Sequence, residues 1–216
     1  MSQSVNEALA ALNAERAATW PAERLKLNRD QRETLVREFS PEKSIKIGVQ
    51  IGDFVLEDVT GGAIRSQDLT AQGPYVLLLF RFAGCPACNL ALPAYDRDLW
   101  PQLQARGVPL VAISPQVPER LVAIKDKHQL GLTVATDRDN ALSQRLGLTY
   151  EFDEPTKRAT EGPDWIGAQT GTGTWELPLT SVLIVDKAGV VRFVDVRPDW
   201  MKRTEVRDIL RALDDI

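Results

Sequence analysis

A structural zinc site is hard to build from this chain. It has only two cysteines, Cys85 and Cys88, and one histidine, His128. Four-ligand zinc needs two more good ligands than the cysteine pair supplies, and His128 is the one nitrogen or sulfur ligand left. His128 lies in "KDKHQLGL" at a predicted helix end, where a surface or helix-terminal role is the plain reading. No apolar run approaches about 18 residues, so no membrane span is expected. An excess of positive charge is also missing: 26 Lys and Arg stand against 30 Asp and Glu, a formal net charge of −4. A generic nucleic-acid partner is therefore not expected. The start, "MSQSVNEALAALNAERAATW", lacks the basic-then-apolar layout of a secretory signal. The expected compartment is the cytoplasm, where thiols are mostly kept reduced and a CxxC is catalytic or metal-binding more often than structural. No cofactor is implied.

What is present reads as an ordinary folded chain, 44% hydrophobic and 26% charged. Val5, Leu9 and Leu12 fall at helical spacing, and Pro21 separates two helices within residues 1–39. Residues 1–46 are thus expected to be a helical extension, packed on the body (47–216) or on a second subunit, an arrangement compatible with a homodimer. From Ile47 the pattern changes to a short strand, a Gly-Gly turn and another strand before Ser66. "YVLLLFRF" (75–82) is nearly continuous apolar sequence and too short for a helix, which predicts a strand buried on both faces. A helix over 86–106 and a second buried strand over 108–114 complete a βαβ unit. Helix 118–129, a strand near 132–135 and helix 139–146 follow. Residues 150–178 are rich in Gly, Pro and polar residues and predict a long irregular insertion. "TGTGTWELP" (170–178) lacks the Gly-Lys-Ser/Thr ending of a phosphate loop and reads as flexible. A hairpin over 181–196 turns at Asp186-Lys-Ala-Gly189, and a helix over 202–214 closes the chain. This order predicts an α/β thioredoxin fold: a central mixed sheet flanked by helices, with an N-terminal helical extension.

In that order of elements, the first βα turn carries the chemistry, and both cysteines sit on it. Pro86 suits the first helical position, which makes Cys85 the N-cap. There its sulfur faces unpaired backbone N–H groups and the positive end of the helix dipole. Both favour thiolate, so its pKa is expected below the free value of about 8.5. Cys88, one turn on, lies on the same face and within disulfide reach. Cys85 is the candidate nucleophile and Cys88 the candidate resolving thiol. Two buried cysteines without chemistry are the alternative.

Much of residues 45–200 resembles the peroxiredoxin-like branch of the alkyl hydroperoxide reductase/thiol-specific antioxidant family. The matching stretches are "IGVQIGDFVLEDVTGG", "YVLLLFRFAGCPACNLAL", "PLVAISPQ" and "WELPLTSVLIVDKAGVVRF", with the closing helix. The resemblance implies a thiol peroxidase or related oxidoreductase. Cys85 thiolate would attack a hydroperoxide and become a sulfenic acid, Cys88 would condense with it, and thioredoxin or glutathione would reduce the disulfide.

The chain departs from the family pattern around the thiols. The proline and hydroxyl of the Pro-x-x-x-Thr/Ser-x-x-Cys motif are replaced by Leu78 and Phe82. The family arginine six residues before Asp186 is Thr180, where thioredoxins carry a cis-proline. The branch's tryptophan before the first cysteine is Gly84, its glutamate after the second is Ala91, and thioredoxin's buried acid is replaced by Leu79. Arg81 is the nearby cation suited to steady a thiolate or a developing alkoxide, with a solvent-facing strand-end arginine as the other reading. Three functions follow: a peroxidase, a thiol–disulfide oxidoreductase acting through the CxxC pair, and a non-enzymatic redox-responsive binding protein. A sheltered pocket at Cys85 would favour the first, a flat apolar groove the second, and a large apolar surface beyond the site the third.

Overall fold

Alternate residues of the run at 75–79 pack on opposite sides of one sheet, which is why the run is apolar throughout. In the computed structural model, which describes residues 3–216, Val76 and Leu78 join one core cluster while Tyr75, Leu77 and Leu79 join the other. The chain order is α1 (Val5–Thr19), α2 (Ala22–Glu38), β1 (Val55–Asp58), β2 (Ala63–Arg65), α3 (Ser66–Gln72), β3 (Tyr75–Leu79), α4 (Pro86–Asp98) and α5 (Trp100–Ala105). It continues β4 (Leu110–Ser114), α6 (Pro118–His128), β5 (Thr133–Thr136), α7 (Ala141–Arg145), β6 (Thr149–Glu151), α8 (Glu154–Thr160), α9 (Ile166–Thr170), β7 (Glu176–Pro178), β8 (Thr180–Val185), β9 (Val191–Arg197) and α10 (Val206–Asp214). Seven strands form one mixed sheet in the order β2-β1-β5-β4-β3-β8-β9. The β3–β4 and β4–β5 pairs are parallel, and β3–β8 and β8–β9 are antiparallel. Among the described residues, no helix is long and apolar enough to cross a membrane.

Several expectations need correction. Residues 86–106 form two helices rather than one. Pro101 has no N–H to continue the ladder, and the chain breaks at Leu99, which ends α4 and opens α5. Residues 66–72, where no element was expected, form α3. The 150–178 insertion is not irregular: β6 and β7 pair as a small separate sheet, and α8 and α9 lie between them. Aromatic packing orders it. Tyr150 stacks on Phe152 at 5.9 Å, and Trp165 lies 4.6 Å from Trp175. Each of these elements is too short to show a period in sequence.

The last helix begins at Val206, not 202. The backbone of Arg203 is bound elsewhere: its N–H donates to Asn6 Oδ1 at 2.9 Å, and its carbonyl accepts from Asn6 Nδ2 at 2.8 Å. Asn6 belongs to α1, whose start is fixed by a reciprocal cap between Ser4 and Glu7. Val5 and Leu9 of α1 are buried in the same core cluster as α4.

Leu9→Ala should therefore destabilise the whole protein by about 2–5 kcal/mol, the usual cost of emptying a buried leucine site. Urea unfolding should show a lower midpoint at an unchanged slope. An unmoved midpoint would mean that α1 is only loosely attached to the body.

Candidate active site

Cys85 caps α4 as its position predicts. Its Sγ accepts the Cys88 N–H at 3.4 Å, and the Nη1 of Arg81 approaches to 3.9 Å. Both cysteines are unpaired thiols and fully buried. Arg81 is not a solvent arginine: it is buried just past β3, under the ring of Trp200 at 4.6 Å. The turn that carries it is held from β4 and the residues after it. Ser114 Oγ donates to the carbonyl of Arg81 at 2.9 Å, and Gln116 Oε1 accepts from the Ala83 N–H at 2.7 Å. Asn89 closes the turn from α4 with bonds to the carbonyls of Ala83 and Cys85. The "VAISPQ" stretch thus positions the cysteine turn.

A guanidinium does reach the thiols, but not from the strand. Arg203 enters from the segment before α10 and reaches Cys88 Sγ at 3.6 Å and Thr180 Oγ1 at 3.4 Å. Its other bonds run to the carbonyls of Trp200 at 2.6 Å and Lys202 at 2.7 Å. Sequence reasoning missed Arg203, because no motif or spacing ties "DWMKRTEV" to the cysteines. Phe82 and Gly84 form a matched pair. A Cβ on residue 84 would lie 3.1 Å from the Phe82 ring, so the glycine leaves room for the phenyl that stands where the hydroxyl is absent. His128 ends α6 and meets Asn89 Oδ1 at 2.8 Å, at the edge of the turn.

The electrostatics separate the two thiols. Burial pushes Cys85 up, but its hydrogen bond with Cys88 and the charges of Arg81 and Arg203 outweigh that and bring it down to about 5. Cys88 is pushed well up, first by burial, then by its hydrogen bond to Cys85 and by the charge on Cys85. At neutral pH the site therefore holds a thiolate at 85 and a thiol at 88. Among the described residues, no group of three His, Cys, Asp or Glu side chains is placed to hold a metal ion.

A cleft of about 800 Å³ ends on Arg81, Phe82 and Pro86, the residues flanking Cys85. Its walls come from α1 and α2 on one side and from α8 and α9 on the other. Cys85 lies behind this floor rather than in the open cleft.

The family model described as "AhpC/TSA family" matches residues 47–194. Peroxiredoxin bcp1 of Schizosaccharomyces pombe is 28% identical over 155 residues, covering 70% of this chain and 76% of its own. The thiol-disulfide oxidoreductase ResA of Bacillus cereus is also 28% identical, over 51% of this chain and 62% of its own. That match spans less than two thirds of ResA. Among solved structures, reduced Prx3 of Vibrio vulnificus in complex with hydrogen peroxide superposes with a TM-score of 0.62. It is 23% identical and covers 78% of this chain and 99% of its own, which shows the thioredoxin-like fold.

Titration of the reduced protein by ultraviolet thiolate absorbance should give a midpoint far below the free-thiol value of about 8.5. Iodoacetamide at neutral pH should label Cys85 before Cys88. Arg81→Met removes an attracting cation, so the midpoint should rise, by about one to three pH units. An unmoved midpoint would show that Arg81 does not hold the charge.

Proposed function

The chain belongs to the AhpC/TSA family, and from that premise we propose that it is a thiol-dependent peroxidase working through Cys85, with Cys88 as resolving thiol and Arg81 as charge-steadying partner. The observation that carries this reading is a depressed-pKa cysteine enclosed behind the floor of a cleft. A small oxidant fits such a cleft better than the loop of a protein disulfide does. The Cys85 thiolate attacks one oxygen of a hydroperoxide. An S–O bond forms as the O–O bond breaks, and the departing alkoxide takes up a proton to leave as alcohol or water. Arg81 faces the charge moved in this step.

The product is a neutral sulfenic acid at Cys85. With the charge at 85 gone, one of the causes that hold the Cys88 thiol up disappears, while Arg203 remains at 3.6 Å. Cys88 then attacks the sulfenic sulfur, the S–S bond forms and water leaves. An external thiol, thioredoxin or glutathione, supplies two electrons to restore the pair. In this reading residues 1–46 are an extension of the 47–216 domain, which the burial of Val5 and Leu9 supports.

A specific observation favours thiol–disulfide exchange as the second reading. Phe82 removes the hydroxyl donor from the peroxide's side of the site, while the paired thiols remain. The similarity to ResA points the same way.

The rate of sulfenate formation with hydrogen peroxide separates the two. Loss of one donor of this kind commonly costs about 10²–10³ in rate. The wild-type rate should lie below that of a hydroxyl-bearing peroxiredoxin by about this factor, yet well above a small free thiol at the same pH. Cys85→Ser should abolish the reaction, and Cys88→Ser should leave a sulfenate that dimedone traps. A rate equal to the free thiol's would move the assignment to the disulfide oxidoreductase.

A further inference from the structure

The cleft beside Cys85 carries more positive charge than the thiolate needs. Arg16 of α1 is 5% exposed, and its polar partner is the Met201 sulfur at 3.7 Å. Its guanidinium lies 4.6 Å from the Trp20 ring, and Arg24 lies 3.8 Å from the same ring. Arg32 nearby is paired with Asp199 at 3.4 Å. Arg16, Arg24 and Arg81 have no carboxylate within ion-pair distance among the described residues. Glu23 and Asp164 also line the cleft, and both are exposed at its rim. Arg24 is exposed, but Arg16 and Arg81 are buried; a buried cation without an anion is costly, and one thiolate does not offset two.

A second feature points to what is missing. Four nine-tenths-buried side chains that line the cleft have a polar atom with no hydrogen-bond partner: Gln31 Nε2, Trp200 Nε1, Arg81 Nε and Thr156 Oγ1. Three are N–H groups, and the fourth is a hydroxyl that can also donate. Buried polar groups are normally satisfied, so a cleft whose lining side chains hold orphan donors just beneath its surface, beside guanidinium groups without a carboxylate, fits an acceptor-rich anion. The rest of the wall is aromatic, with Phe82, Phe152 and Trp20 facing the same space. That surface fits an apolar body of a few carbon atoms or a ring.

We propose that α1 and α2, with the 150–178 segment, form a recognition cleft for the carboxylate of a small organic acid with an apolar body, which presents its reacting group at Cys85. Arg16, Arg24 and Gln31 bind the carboxylate, and the aromatic wall holds the body toward Arg81 and Phe82. The reading rests on thiol chemistry at Cys85 and adds to it the class of molecule that reaches the site. The same chemistry occurs in two sources. The acid is either an organic hydroperoxide, which leaves as the alcohol after oxidising Cys85, or a thiol that reduces the Cys85–Cys88 disulfide. In the second case its thiolate attacks Cys85, the S–S bond breaks and Cys88 leaves and takes up a proton. A second thiolate then attacks the outer sulfur of the Cys85 mixed disulfide, which frees the Cys85 thiolate and releases the two small thiols as their own disulfide. The walls that bind the carboxylate lie largely outside the matched family region, since Arg16, Arg24 and Gln31 all precede residue 47.

Binding is measured first, without turnover, in the full chain carrying Cys85→Ser. Tryptophan fluorescence follows titration with para-isopropylbenzoate and with its methyl ester. The acid should bind at least about tenfold tighter than the ester. Arg24→Gln and Gln31→Met should each weaken the acid by about tenfold, the loss of one hydrogen bond to a charged group, and leave the ester unchanged. Gln31→Met removes an orphan donor, so its melting temperature should hold or rise, which separates lost recognition from lost folding. Equal affinity for acid and ester, or no change in both variants, overturns the proposal. Wild-type rates then assign the source. Para-carboxy cumene hydroperoxide is compared with its methyl ester in the oxidative step, and glutathione with its ethyl ester in the reductive step. A preference for the free acid in one step assigns the carboxylate to that reactant, and a preference in neither overturns the proposal. Because the first measurement needs no reactive thiol, failure of the peroxidase reading leaves its outcome intact and visible.

Discussion

Keeping a thiolate charged where no water reaches it is the constraint that organises this protein. Cys85 is fully buried, and burial alone drives a thiol toward its neutral form. Each pKa unit by which it is held down is worth about 1.4 kcal/mol of preferential stabilisation of the anion. That stabilisation has four origins: the hydrogen bond from the Cys88 thiol, the guanidinium of Arg81, the more distant charge of Arg203, and the N–H of Cys88 at the start of α4. None of these groups holds itself in place. Arg81 depends on Ser114 at the end of β4, and Arg203 depends on the carbonyls of Trp200 and Lys202 and on Asn6 of α1. A helix near the start of the chain, the centre of the sheet and the segment before the last helix thus converge on one sulfur atom.

The changes around the thiols are connected. A guanidinium absent from position 180 is supplied by residue 203, whose Nη1 touches the threonine that stands at 180. This cation comes from a loop rather than the strand and sits against Cys88 while its charge also reaches Cys85. Phe82 fills the hydroxyl's place, and Gly84 makes room for it. The thiolate they surround is fully buried. Low local dielectric strengthens its interactions with Arg81 and Arg203, and it also makes each of those cations more costly to leave unpaired.

The parts of the site legible in sequence were those encoded by adjacent residues. Cys85 at an N-cap follows from a strand, a proline and helical spacing, and the fold follows from the order of apolar runs. Arg203 was not legible, because its link to Cys88 spans 115 residues and exists only after the sheet has formed. The ordered 150–178 segment was hidden for a related reason. Strands of three residues, such as β6 and β7, have no period to read. What orders them is contact between aromatic side chains scattered through a polar stretch. The late start of α10 depends likewise on Asn6, which claims the backbone of Arg203 from the far end of the chain.

Because the cleft stops at a closed floor, a reactant meets Cys85 only when part of the enclosure moves, and the walls are not equally free to do so. The cysteine turn is fastened by Gln116 and Asn89. The α9 wall is tied to the same region: Gln116 Nε2 donates to the Gln169 carbonyl at 3.0 Å, and the Val117 N–H donates to the Thr170 carbonyl at 2.9 Å. Helix α1 is pinned by Leu9 and Asn6. Helices α2 and α8 are the exceptions: of α2 only Gln31 and Leu35 are buried, and of α8 only Thr156. Elements with few buried contacts open at the lowest free energy. These two walls are therefore the ones that displace at least cost, and the proposed carboxylate site, with Arg24 and the orphan amide of Gln31, is built on one of them.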